Sequence, residues 1–346
     1  MLTGHGGKQL KEASIRFRTD RERSQWLMYG RQRHRAVGHL GCALWVAALL
    51  GFGSAVLWGC SAERAESTEG IVVTTSILGD AVRAIVQADV PVRVLMGAGI
   101  DPHLYKPTLE DVQALQRAAC VVAHGLRLEG RMEEVLQGVA RRKPVVFAAE
   151  LVPKDSLRRL AEGVYDPHLW LDVRLWREVV LRVADTLGKL FPERRQQWEQ
   201  RALQYAQRLD TLDQWVRSQI GQIPPQFRLL VTVHDAFGYF GRAYGLETLS
   251  LQGISTAAEF GLHDMVRVAE VVARRRLPAV FTESTLPARL MDNVVAIARQ
   301  QGWSVRIGGE LFSDALGPPG SGAETYEGMV RKNVSTIVAG LLGAGL

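Results

Sequence analysis

The chain has 346 residues, 47% of them apolar and 23% charged, with a mean hydropathy near zero, which excludes disordered and fibrous classes and suits about two domains or lobes. The formal charge of +6 is confined to residues 1–35, which carry nine Lys/Arg against three acids and leave the other 311 residues balanced at 33 against 33. A body with no net basic field lacks the electrostatic footprint of a nucleic-acid binder.

Behind the basic leader, Ala36 to Gly59 is a run of 24 residues without Asp, Glu, Lys or Arg, ending in Leu57-Trp58-Gly59-Cys60. A basic stretch, an apolar stretch and a small residue before a cysteine predict a signal peptide over residues 1–59, cleaved at a lipid-carrying Cys60. Trp58 is bulky for a cleavage site, and an uncleaved span of this length would also cross a bilayer. Both outcomes leave the Arg-rich side in the cytoplasm and the residues after 60 outside. A start at Met28 would keep Arg31, Arg33 and Arg35 as the basic region. Of the three cysteines only Cys120 then belongs to the body, in the apolar stretch Ala118–Val122. It reads as a small buried hydrophobe, and the mature chain has no disulfide to form.

After a polar linker over residues 60–70, β-branched runs alternate with amphipathic stretches, the pattern of strand–helix–strand units and a parallel sheet. The first half, residues 71–190, offers strands at Ile71–Thr75, Val92–Met96, Val121–Ala123 and Val145–Phe147. The second, residues 228–346, offers Leu229–Val233, Ala279–Thr282 and Ser304–Ile307. Between them, Trp198, Ala202, Tyr205, Leu209, Leu212 and Val216 recur at spacings of three and four within Glu193–Gln222, with Pro192 before and Pro224-Pro225 after. This spacing predicts one long amphipathic helix joining two α/β lobes, residues 193–222. Gly97–Gly99 follows a strand but is not followed by Lys-Ser/Thr or a helix, which disfavours nucleotide binding.

Five histidines belong to the body, and three lie at or beyond predicted strand ends: His103 in Asp101-Pro102-His103-Leu104, His168 in Asp166-Pro167-His168-Leu169, and His234 directly after Leu229–Val233. Carboxyl ends of parallel strands face a common crevice, so the three imidazoles are expected to converge. Proline fixes φ before each of the first two, and the neighbouring aspartate can accept an imidazole N–H. Imidazole suits zinc and other late divalent ions. A closed tetrahedral site needs a fourth donor. Glu283 at a strand end, and Glu310 and Asp314 in the loop after Ser304–Ile307, are the candidates, and spacing does not choose among them. His124 and His263 are read as structural or supporting residues.

The stretches Gly97–Thr108, Asp166–Asp172, Val233–Phe240, Gln252–Thr256 and Gly308–Asp314 together resemble the zinc/manganese solute-binding lipoproteins of bacterial ABC importers, the TroA type, from about residue 70 to 342. The resemblance implies two lobes with parallel sheets flanked by helices, one long rigid helix between them, and a metal held in the cleft by His103, His168, His234 and Asp314. It also implies a monomeric, non-enzymatic receptor, lipid-anchored on the outer face of the cytoplasmic membrane or in the periplasm. Its partners would be a permease and a cytoplasmic ATPase, and its cargo one Zn2+ or Mn2+. Members dedicated to manganese often place a carboxylate at the position of His234, whereas residues 125–167 lack the His-rich loop of many zinc-specialised members. The competing class is a secreted zinc hydrolase with Glu283 as general base, which needs an open fourth position that Asp314 would close. A siderophore or haem receptor of the same architecture would line its cleft with Arg or aromatic groups.

Overall fold

The computed structural model describes residues 69–343, so the leader, Met28 and Cys60 lie outside the described residues. Four parallel strands form the first sheet: β1 (Glu69–Thr75), β2 (Val92–Met96), β3 (Ala118–Ala123) and β4 (Val145–Phe147), in the order β2-β1-β3-β4. Ile71, Val72 and Val73 are each fully buried, so successive side chains on both faces meet apolar cover. That two-sided burial is why these strands read as continuous apolar runs. The crossover helices are α1 (Ser76–Val86), α2 (Leu109–Arg117) and α3 (Glu133–Ala140). Thr75 caps α1 by accepting the Leu78 N–H, and Thr108 and Asp111 form a reciprocal capping box on α2, each satisfying donors that a helix start leaves orphaned. Cys120 is buried in β3, and burial pushes its thiol up to about 12, as an inert core residue requires.

A hairpin of β5 (Arg159–Ala161) and β6 (Val164–Tyr165) leads into α4 (Val173–Leu190), which Asp172 caps. The long helix is α5 (Arg195–Ile220), entered through a 3-10 turn at Pro192–Arg194. Its 26 residues rise about 39 Å. All six periodic residues named above face inward on it. The second lobe continues with β7 (Leu229–Thr232), α6 (Gly238–Tyr244), β8 (Glu247–Ser250), α7 (Leu262–Arg275), β9 (Ala279–Glu283), α8 (Arg289–Gln300), β10 (Arg306–Leu311) and α9 (Tyr326–Leu341). Its parallel pairs are β7–β8 and β9–β10, with β7 packed beside β9.

One apolar core runs from Ile71 and Ile77 through Trp176, Trp198 and Leu212 to Phe281, Phe312 and Val334. The lobes therefore share packing along α5 and α9, and a large apolar interface restrains their relative motion. β10 continues to Leu311 through Gly308-Gly309, with a bulge between Ile307 and Glu310. This corrects the placement of Glu310: it is an exposed strand residue opposite Thr282, not a loop donor.

Candidate metal centre

The carboxyl ends of three parallel strands, and for His168 the segment after the antiparallel β5–β6 hairpin, bring the predicted residues together. His103 follows β2, His168 follows the β5–β6 hairpin, His234 follows β7, and Asp314 lies in the loop after β10. All four are buried, and one donor atom from each lies within 4.8 Å of every other. His103 Nε2 stands 3.2 Å from His168 Nε2, and Asp314 lies 3.3 Å from His234 Nε2, 3.5 Å from His168 Nε2 and 3.9 Å from His103 Nε2. Donors at tetrahedral corners about 2.0–2.1 Å from a zinc ion would be roughly 3.3 Å apart. The cage therefore has the size of a single ion. His234 Nε2 and both Asp314 oxygens are buried with no hydrogen-bond partner, a costly state that an ion would relieve.

Each imidazole is held differently. Asp166 Oδ1 accepts both the His168 backbone N–H at 2.9 Å and its Nδ1–H at 2.7 Å. With Nδ1 so committed, Nε2 of His168 presents its lone pair to the cage. Arg158 donates to the other Asp166 oxygen and lies 3.9 Å from Asp235. Its guanidinium occupies the space over Gly238 that any Cβ would fill. Asp101 differs from Asp166: its Oδ1 accepts the His103 backbone N–H at 2.8 Å and its Oδ2 accepts the Thr256 hydroxyl at 2.6 Å. Glu283, at the end of β9, does not enter the cage. Its Oε1 accepts the backbone N–H of Val233 and of His234, both at 2.8 Å, and its Oε2 lies 2.6 Å from His234 Nδ1, off the line of a hydrogen bond.

The electrostatics follow from these partners. Burial lowers the His103 pKa to about 3, only partly offset by Asp314. Burial acts the same way on His234, but Glu283 and Asp314 together outweigh it and raise its pKa well above the ordinary value. Burial would raise the Asp314 pKa, yet His234 and the other two imidazoles overcome it and pull it below the usual carboxylate range. His124 is a supporting residue: its Nε2 lies 2.7 Å from the Pro167 carbonyl and its ring stands edge-on to Trp170, which in turn contacts the His168 ring. Burial takes its pKa down to about 3. His263 is exposed on α7, away from the cage.

The Asp314 loop is stitched to the first lobe. Trp170 Nε1 donates to the Ser313 carbonyl at 2.7 Å, Tyr326 Oη donates to the Trp170 carbonyl at 2.6 Å, and Leu316 N–H donates to Ser76 Oγ at 3.0 Å. Arg158, Trp170, Tyr239 and Thr256 carry no spacing signal that would have marked them. Trp170, Tyr239 and Thr256 do fall inside the family-like stretches, and only the cross-lobe contacts give them a role.

Two α/β lobes bridged by one long helix, with a buried cage of three imidazoles and one carboxylate between them, define a bilobal solute-binding protein with room for one metal ion. The chain matches the family model of the zinc-uptake complex component A, periplasmic, over residues 71–340, and it belongs to that family. It is 43% identical over 300 residues to the zinc-binding protein TroA of Treponema pallidum, covering 87% of this chain and 97% of the relative. It is 39% identical over 301 residues to the manganese-binding lipoprotein MntA of Bacillus subtilis, covering 86% and 98%. The solved periplasmic zinc-binding protein TroA of Treponema pallidum superposes with a TM-score of 0.77 at 44% identity, covering 79% of this chain and 99% of that one.

Proposed function

We propose that this protein is the extracytoplasmic receptor of an ABC importer, taking one divalent transition metal on His103, His168, His234 and Asp314 and delivering it to a membrane permease powered by a cytoplasmic ATPase. The observation that carries this reading is the buried four-donor cage, in which His234 Nε2 and both Asp314 oxygens have no hydrogen-bond partner and the donors stand at separations that suit one ion. Three nitrogens and one oxygen favour zinc over the harder manganese ion. The relatives divide on this point, one being named for zinc and the other for manganese.

Anchoring through a lipid on Cys60, residence on the outer face of the cytoplasmic membrane or in the periplasm, and a monomeric state complete the proposal. The charge-free run before Cys60 and the lipoprotein relative support the anchor. The protein does no chemistry on its cargo. Glu283 commits Oε1 to the Val233 and His234 N–H groups and turns Oε2 to His234 Nδ1, so it is badly placed as a general base, while Asp314 stands where a hydrolytic water would bind. Elemental analysis of protein purified without added metal should find one divalent ion per chain, and zinc should displace manganese in competition. A chain that binds neither ion would refute the proposal.

A further inference from the structure

The two Asp-Pro-His segments meet the second lobe in unlike ways. At His168 the contacts are deeply buried: Tyr239 Oη donates to the Asp166 carbonyl at 2.9 Å and accepts the Arg158 N–H at 2.9 Å, beside the Trp170–Ser313 and Tyr326–Trp170 bonds. Tyr239, Trp170 and Tyr326 all belong to the shared core. At His103 the surroundings are open. Gly99, Ile100 and Leu104 are exposed on one side and Gly253, Ala257 and Leu262 on the other, and His103 is the most exposed of the four cage residues at 5%.

Across that open side runs the bond from Thr256 Oγ1 to Asp101 Oδ2, 2.6 Å, joining residues 155 apart in sequence. Both ends are tied to cage residues. Asp101 holds the His103 backbone N–H. The Thr256 loop is fastened to the His234 segment: Gln252 N–H donates to the Val233 carbonyl at 2.8 Å and Asp235 N–H donates to the Gly253 carbonyl at 3.2 Å. The Gln252 side chain braces the loop through the Thr256 and Ala258 carbonyls.

We infer that Thr256 and Asp101 form a latch whose opening sets the rate at which the ion leaves, with the exit on the His103 side and the Tyr239–Trp170–Tyr326 side acting as the fixed hinge. This rests on the proposed function. Thr256 is a positioning residue, touching no donor atom of the cage. Opening of the latch frees the His103 segment and the His234 segment from each other, so two donors are loosened by breaking one bond. A hydrogen bond to a charged acceptor is strong enough that its loss should speed release about tenfold.

The test is stopped-flow transfer of zinc from the loaded full chain to an excess chelator. Thr256→Val should release zinc about tenfold faster, Thr256→Ser should return to the wild-type rate, and all should still bind one zinc per chain. Ser255→Ala breaks a bond inside the same loop, Ala257 N–H to Ser255 Oγ, and should leave the rate alone. Thr256→Ala carries the same expectation as the valine variant should valine disturb folding. Wild-type release rates in both variants, with zinc still bound, would overturn the latch and leave the proposed function standing. A wild-type chain that takes up no zinc or manganese would overturn both.

Discussion

Glu283→Gln isolates the contribution of a charge that never touches the ion. Glutamine keeps the size of the side chain and a carbonyl oxygen for the Val233 and His234 N–H groups, and replaces the charged oxygen 2.6 Å from His234 Nδ1 with a neutral amide NH2. Losing the negative charge beside the imidazole should cost about 1–1.5 kcal/mol, roughly tenfold in affinity and within the range seen for residues behind metal-bound histidines. Proton competition reshapes that loss with pH. In the metal-free chain, Glu283 and Asp314 overcome burial and raise the His234 pKa well above the ordinary value, so near neutrality the ion must displace a proton. Wild-type affinity should therefore climb about tenfold per pH unit until the raised pKa is passed. The variant holds that proton less tightly and should level off at lower pH. Chelator-competition titrations over a pH series should show the variant weaker by about tenfold in alkali, with the two curves converging toward acid. Identical affinities and slopes would refute the account of Glu283 as the residue that sets His234.

Asp314→Ala should weaken zinc binding by more than the ~10–100-fold typical of supporting residues, read by the same titration, because it removes one of four donors. Trp170→Phe leaves the buried Ser313 carbonyl without its donor, a loss of about 1–3 kcal/mol that differential scanning calorimetry of the metal-free chain should record as a lower melting temperature. Acid should weaken the metal-free fold. His103 and His124 have folded pKa values of about 3, so between an unfolded value of about 6.5 and those values the unfolded chain binds more protons. From pH 7 to about 5 each should remove about 2 kcal/mol, offset in part by His234, whose raised pKa stabilises the fold most fully below about 6.5. Urea unfolding at the two pH values measures the net fall, and an unchanged midpoint would contradict the burial of neutral imidazoles. Cys60→Ala should yield exported protein without lipid, and mass spectrometry showing wild-type chains with residues upstream of Cys60 still attached would contradict cleavage there.

The strands with uninterrupted β-branched runs were legible, as were α5 and its inward residues, because full burial on both sheet faces and a helical stripe each leave a pattern in composition. The hairpin β5–β6 was not, since Arg159–Ala161 is exposed and has no buried face to show. β8 escaped for the same reason: Glu247–Ser250 is only partly buried. Gly308-Gly309 disguised the continuation of β10, and with it the fact that Glu310 points to solvent. At the cage, the three histidines were readable from strand ends and repeated Asp-Pro-His-Leu segments, and Asp314 entered through the family resemblance. The choice between Asp314 and Glu283 depends on which carboxylate is already occupied by backbone N–H groups, and no spacing encodes that. Arg158 and Thr256 act through partners far away in sequence, so their roles exist only once the lobes are assembled.

The central claim is that one ion sits on four named side chains. Anomalous diffraction from crystals of the zinc-loaded protein, collected on both sides of the zinc edge, tests it most directly. The account predicts a single strong peak about 2.0–2.2 Å from a nitrogen of each of His103, His168 and His234 and from an Asp314 oxygen, with Glu283 behind His234 and outside bonding distance. A peak bonded to Glu283 in place of Asp314, or no peak between the three imidazoles, would contradict it.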